Sequence, residues 1–498
     1  MHRMKANIVS NIITKIWSMV SIYLFIPLYI KILGETSYGL VSFFATLQTA
    51  LNLLGLGLSN TLRREFAVVD PNQDNSLRKY KLLRSVECVY FIIGVLITFT
   101  CIIGSNEIAD KWLNIETLDL KMVATVISLM GISIALQLVA NLYAGCLFGL
   151  EYQVLANVYC ILWSLLKSVG ALAIIYFIES NLIYFYEWHI LMDLCYLVIL
   201  RYTVVKKLGL EKPHWSISDL SNIKSIWKYT CGVLLISFIG LVNRQLDKVI
   251  ISKFLTLTEL GSYNIATTLG SLSAVIPMAV YTTVFPRFTR YATNKDFIRL
   301  KNEFLQFNKC VNIVLSCMSA FIAVYSPALI KLWTGSDVYV SILGKIGGIV
   351  VLAVAISEFQ ELPYALALAN GNTKYNVLVG GVFIPFEVVI TYFGILKYGL
   401  LGAGLIYLLA TLFQTLVYVF LIYKKYVTDK PIELIIRDML IPLLASLAIA
   451  VISKKIIENM YFSYILQSVY AIVFGMITLT IFIMLFARNE FKFFLHNK

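Results

Sequence analysis

Apolar runs of about twenty residues recur from one end of this chain to the other, and they constrain its folding more than any other feature. A helical run of that length matches the hydrocarbon core of a bilayer. Reading them in order gives about fourteen crossings. They fall at 8–30, 39–61, 85–104, 122–146, 155–178, 183–200, 231–252, 262–286, 309–331, 342–368, 376–396, 400–422, 438–457 and 463–487. The runs are about twice the length of a barrel strand and lack strict alternation, so helices are required. The expected fold is therefore an all-α integral membrane protein. Composition agrees: the 498 residues are 59% hydrophobic and only 14% charged, against about a quarter charged in soluble domains. No stretch is left for a sizeable soluble domain. Met1 to Lys5 followed by an apolar run resembles a signal peptide, but Lys15 and Trp17 interrupt the run and it continues to Ile30. No small-residue cleavage site follows, so the segment reads as a retained first helix.

The formal charge of +13 raises nucleic acid as a partner, and its distribution argues against that. Basic residues gather in alternate short loops, the pattern that fixes orientation in a membrane. One such loop carries Arg63, Arg64, Arg78, Lys79, Lys81 and Arg84, and another Arg201, Lys206, Lys207, Lys212, Lys224 and Lys228. A third carries Arg287, Arg290, Lys295, Arg299, Lys301 and Lys309, and a fourth Lys424, Lys425, Lys430 and Arg437. The opposite loops are short and poor in basic residues, and the longest, Ser105 to Leu120, leans acidic. A multi-pass protein with both termini in the cytoplasm follows. The eight cysteines lie mostly inside spans without zinc-type spacing and read as reduced small hydrophobes. No metal or cofactor is expected.

The chain repeats itself. Lys31-x-Leu33, Gly39 and Thr46-Leu47 recur as Lys253-x-Leu255, Gly261 and Thr268-Leu269, an offset of 222 residues. Charged loops recur at nearly the same offset. Two pseudo-symmetric six-helix bundles are expected, 1–210 and 211–430, with two further helices in 431–498. Duplicated bundles that rock around a central site are a transporter's architecture, and no catalytic residue is assigned.

Ionisable residues inside spans cost about 2.5–3.5 kcal/mol each at mid-bilayer, so they are expected to line a wet cavity or pair with one another. These are Lys15, Lys167, Arg244, Asp247, Lys248 and Lys345, with Glu187, Asp193, Glu358, Glu361 and Glu387. In the seventh span Arg244, Asp247 and Lys248 share a face. An Arg244–Asp247 pair would leave Lys248 as surplus positive charge, suited to an anion. Lys15 either lines the same cavity or snorkels to the headgroups. Arg63 and Arg64 are either inner anchors or a greeting for an anionic headgroup. Glu358 and Glu361 precede Pro363, which should kink the tenth span. With Asp247 and Asp193 they are candidates for coupling to a proton or sodium gradient, or they pair and serve structure alone.

Loose motifs along nearly the whole chain resemble the polysaccharide transporter family, the O-antigen (Wzx-type) flippases, within the multidrug/oligosaccharidyl-lipid/polysaccharide (MOP) exporter superfamily. They are Ile26-Pro27-Leu28-Tyr29 through Leu33-Gly34, Tyr38-Gly39-Leu40, Gly55 to Arg64, Asp247 to Ser252, Leu260 to Ala266 and Asn370 to Lys374. The resemblance implies a MATE-like fold in the bacterial cytoplasmic (inner) membrane. It implies movement of undecaprenyl-diphosphate-linked oligosaccharide to the outer leaflet for O-antigen, capsule or other surface polysaccharide, with a polysaccharide polymerase as a partner. Many family members have twelve helices rather than fourteen. A cationic cavity of Arg244, Lys248 and Lys15 would suit the diphosphate. The alternatives are a cation-coupled multidrug exporter, a lipid II flippase, or a membrane oligosaccharide polymerase or ligase. The last would need a large outer loop that this chain lacks. The absence of a Gly-x4-Gly-Lys-Ser/Thr loop disfavours ATP-driven transport by this chain alone.

Overall fold

The computed structural model describes residues 2–67, 75–208, 221–458 and 463–486. Those residues are overwhelmingly helical, and their only β-type pairing is an isolated bridge between Asn114 and Thr256. The first helices are α1 (His2–Leu33), α2 (Glu35–Ala67), α3 (Asn75–Glu107), α4 (Leu120–Gly149), α5 (Gln153–Phe177) and α6 (Leu182–Leu208). A π turn, Ile108–Trp112, extends α3. The chain continues through α7 (Ser221–Phe254), α8 (Leu257–Gly270), α9 (Val275–Thr293), α10 (Phe297–Val324), α11 (Ser326–Thr334) and α12 (Asp337–Leu343). It ends with α13 (Gly347–Glu358), α14 (Glu361–Ala369), α15 (Lys374–Tyr426), α16 (Pro431–Ile435), α17 (Ile441–Glu458) and α18 (Tyr464–Phe486).

Eleven helical runs among the described residues are long and apolar enough to cross a membrane. One of them, α15, is a hairpin. At Gly399 the backbone takes φ 58° and ψ −139°, a conformation open to glycine and strained for other residues. The two arms then return against each other. Phe383 and Phe413 lie 5.2 Å apart as rings, and Asn372 donates to the Tyr426 hydroxyl at 3.0 Å. These arms are the expected 376–396 and 400–422 spans. At 33 and 34 residues, α2 and α7 also exceed the bilayer core, each about 50 Å long.

Two expected spans are broken. The 309–331 run ends as a helix at Val324 and restarts at Ser326, with Pro327 in the first turn of α11. A proline there cannot continue the preceding hydrogen-bond ladder. The 342–368 run begins in a Gly344-Lys345-Ile346 turn, so Lys345 lies exposed ahead of α13 and not within a helix. A second break at Phe359–Gln360 separates α13 from α14. Pro363 has no N–H to offer the Phe359 carbonyl four residues back, which explains the position of that break.

The contacts divide the chain into two compact units. The first comprises Met1–Gln245 with Ser252–Thr258, and the second Leu246–Ile251 with Glu259–Lys498. The boundary expected from the repeat, between 210 and 211, lies outside the described residues. In the first unit α4 is the hub, packed on α2, α3 and α6. A Gly145-x3-Gly149 face lets α2 approach closely, for a Cβ on Gly149 would fall 2.5 Å from the Arg63 carbonyl oxygen. Leu62, Phe66, Leu83, Val86, Tyr90, Leu142 and Tyr143 close this core. In the second unit α10 is the hub. Phe288, Phe304, Leu362 and Tyr423 fill its core, and α17 packs against α10 through polar contacts. Cys317 Sγ meets Ser446 Oγ at 3.4 Å, and the Tyr325 hydroxyl meets Ser453 Oγ at 3.0 Å.

Candidate functional site

The polar stretch of α7 is resolved residue by residue. Arg244 is exposed, while Asp247 is buried within the second unit. The Asp247 carboxylate accepts from the Tyr263 hydroxyl of α8 at 2.5 Å and from the Lys248 backbone N–H at 2.8 Å. Asp247 is thus held by a tyrosine that no local spacing signals. The Lys248 ammonium turns to a neutral amide, donating to Asn264 Oδ1 at 2.9 Å. Half-buried Glu387 on α15 lies within electrostatic reach of Asp247 and Tyr263. The arrangement gathers two carboxylates, a phenol and an ammonium around the α7–α8 corner.

The first unit holds a second polar site around Asp193, fully buried on α6. One carboxylate oxygen accepts from Lys167 Nζ at 2.8 Å and Trp163 Nε1 at 3.0 Å. The other accepts from Ser133 Oγ at 2.5 Å, Gln137 Nε2 at 2.9 Å and Lys167 Nζ at 3.0 Å. The ammonium also lies 5.0 Å from the Trp163 ring centroid, a favourable position for a desolvated cation. Gln48 on α2 donates to Gln137 and extends the network. One turn earlier on α6, buried His189 packs 4.2 Å from Phe185 and 5.6 Å from Tyr186, centroid to centroid, and neither ring nitrogen bonds to another protein group among the described residues. Glu187 lies exposed on the same helix.

Glu358 and Glu361 are both half-buried and flank the Phe359–Gln360 break. Glu361 is within electrostatic reach of Tyr281 and Tyr418, and Tyr281 stacks with Tyr364 at 6.2 Å. Gln360 crosses to α15, donating to Thr415 Oγ1 at 2.7 Å. The remaining candidates are exposed: Lys15 on α1, and Arg63 and Arg64 in the last turns of α2. The Arg63 guanidinium covers the Phe148 ring at 4.9 Å. Sequence reasoning missed a cluster on Glu87, which receives Arg201 Nε at 3.0 Å, Arg84 and the Tyr143 hydroxyl. Its signal was available, for Glu87 is an acid that follows Arg84 by three residues at the end of a strongly basic loop. No group of three or more metal-type ligands occurs among the described residues.

Three similarities bear on what such an arrangement is for. A Shigella flexneri protein named for O-antigen transport is 21% identical over 375 residues, covering 75% of this chain and 86% of that protein. The lipid II flippase MurJ in an inward closed conformation superposes with a TM-score of 0.70 at 14% identity, covering 96% of this chain and 98% of MurJ. An inward-facing multidrug resistance MATE transporter of the MOP superfamily superposes with a TM-score of 0.68 at 14% identity, covering 84% and 96%. The fold is therefore that of MOP transporters, and none of these proteins is an enzyme. Residues 4–292 match the family described as polysaccharide biosynthesis protein. The chain belongs to that family of multi-pass membrane proteins.

Proposed function

We propose that this chain flips undecaprenyl-diphosphate-linked oligosaccharide repeat units across the bacterial inner membrane, by alternating access, for assembly of O-antigen, capsule or another surface polysaccharide. The reading takes fourteen crossings, cytoplasmic termini and the two six-helix bundles with their two added helices. The observation that carries it is the state of positive charge on α7. Arg244 is exposed, and the Lys248 ammonium rests on an amide oxygen while Asp247 is occupied by Tyr263. Among the described residues neither cation makes a direct side-chain ion pair, so both can meet a diphosphate, and Lys15, Arg63 and Arg64 supply further exposed charge along the first unit. Glycan and lipid are bound and moved, and no bond is made or broken.

Coupling to a proton or sodium gradient is assigned to Glu358 and Glu361 beside the broken α13–α14 backbone, with Asp247 and Glu387 as a second acidic pair. Discontinuous helices supply backbone carbonyls to ions in other transporters. Asp193 is a poor coupling group, because both its oxygens are filled and its charge is already balanced by Lys167. A polysaccharide polymerase that takes up the delivered unit is the partner the reading implies.

Lipid II is the second substrate to consider, because the MurJ fold matches over 96% of this chain. Both ligands are lipid diphosphates and would use the same cations. The test is transbilayer movement in proteoliposomes, with fluorescent undecaprenyl-diphosphate oligosaccharides and lipid II compared side by side. Protein-dependent movement of the oligosaccharide that falls at least tenfold in Arg244→Gln/Lys248→Gln supports function and site. Movement of lipid II alone transfers the assignment to that substrate. Movement unaffected by the double substitution discards the site.

A further inference from the structure

At one end of the second unit, α10 begins, α15 ends and α16 leads through a π turn, Ile436–Leu440, into α17. Two adjoining cavities open there. The first, about 690 Å³, is lined by Lys301, Lys309, Lys430 and Arg437, with Glu433 and Asp438, over a floor that includes Val427 and Leu434. Its volume falls in the range of about 300–1,000 Å³ typical of small-molecule sites. The second, about 850 Å³, shares Lys430, Glu433 and Arg437 and adds Lys424 and an apolar wall of Phe420, Ile432 and Ile436. Ile432 and Ile436 lie one turn apart and are 61% and 44% exposed. Asp438 is buried and grips the Arg437 guanidinium with two bonds, at 2.7 and 3.0 Å. That grip fixes the direction of the arginine and leaves its charge on the surface, with the side chain 62% exposed.

We infer that these paired cavities bind one anionic phospholipid, its phosphate and headgroup among Lys301, Lys430 and Arg437 and an acyl chain along Phe420, Ile432 and Ile436. A cationic cup on its own would suit any soluble anion. An apolar wall continuous with the cup, at the ends of helices long and apolar enough to cross a membrane, suits a molecule that is anionic at one end and hydrocarbon at the other. Basic pockets between membrane helices recognise anionic headgroups by the same combination of charge and depth. The bound lipid would fasten the α16–α17 corner to α10 and α15. The site is separate from the α7 site and does not depend on the flipped substrate.

Native mass spectrometry of the full-length protein, released from nanodiscs of phosphatidylcholine doped with phosphatidylglycerol, tests this directly. The wild type should retain phosphatidylglycerol in preference to phosphatidylcholine. Each cation near a membrane surface contributes about fivefold to anionic-lipid affinity, so Lys301→Gln/Lys430→Gln/Arg437→Gln should weaken retention on the order of 100-fold, and Lys301→Gln alone by about fivefold. The single variant keeps the test decisive should the triple one fail to fold. Lys295→Gln/Lys374→Gln/Lys397→Gln removes the same charge elsewhere and should leave retention intact. Equal loss in that control would mean diffuse attraction and overturn the site. Displacement of the lipid by millimolar glycerol phosphate or inorganic phosphate would also overturn it, by showing a small-anion cup.

Discussion

Asp193 and Lys167 illustrate what a buried charge requires of its neighbours. Removing two ions from water carries a penalty of several kcal/mol each, which direct attraction offsets only when the remaining lone pairs are filled. Here Trp163, Ser133 and Gln137 fill them. Asp193→Asn would leave the Lys167 ammonium buried without its counter-charge, and a loss of about 3–5 kcal/mol is expected. Thermal unfolding in detergent should show this as a clear drop in midpoint, and Lys167→Met/Asp193→Leu should recover much of it. A single variant as stable as the wild type would return Asp193 to the list of ion-coupling groups. Sequence could pick out both residues, because a charge inside an apolar run is conspicuous. It could not pair them, since their partners come from α4, α5 and α6 at separations of 26 to 60 residues. The same limit hid Tyr263, whose bond to Asp247 spans a helix corner.

At the scale of elements, helix positions were legible because each apolar run is set by bilayer thickness, a constraint that acts locally along the chain. The breaks at Val324–Ser326 and Phe359–Gln360 were less so, because apolar composition continues across them. Proline was the only local sign, and it was read only at Pro363. Gly399 is the sharpest case. It falls in the short gap between two expected spans, and the observed φ and ψ let the 53-residue run reverse on itself. Gly399→Ala places a Cβ on a backbone conformation that L-residues avoid, and a cost of about 1–3 kcal/mol follows. The expected result is a lower melting temperature, with the oligosaccharide movement proposed above retained in the folded fraction. An unchanged melting temperature would mean that the corner adopts another backbone path.

For the whole molecule, one contact joins the start of α2 to the start of α8. Thr36 and Thr258 are separated by the 222 residues expected for the repeat, and their hydroxyls lie 3.1 Å apart. Around them the segment Ser252–Thr258 is clasped by the first unit. Trp112 Nε1 donates to Ser252 Oγ at 3.0 Å, and Lys253 donates to the Lys111 carbonyl and lies 5.2 Å from the Trp112 ring centroid. Asn114 bridges Thr256, and a Cβ on Gly39 would fall 2.0 Å from the Leu257 carbonyl oxygen. The chain leaves this clasp at Glu259 to enter the second unit. Under the alternating-access cycle proposed above, one bundle moves relative to the other, and the short clasped segment would then loosen or pivot. Thr36→Cys/Thr258→Cys places two sulfurs where the hydroxyls now touch, and a disulfide should form under mild oxidation. Flipping in proteoliposomes should then fall to the level of empty vesicles and return on reduction, while either single cysteine variant stays active. Unimpaired flipping by the cross-linked protein would show that the clasp remains closed throughout the cycle and that the moving joint lies elsewhere in the chain.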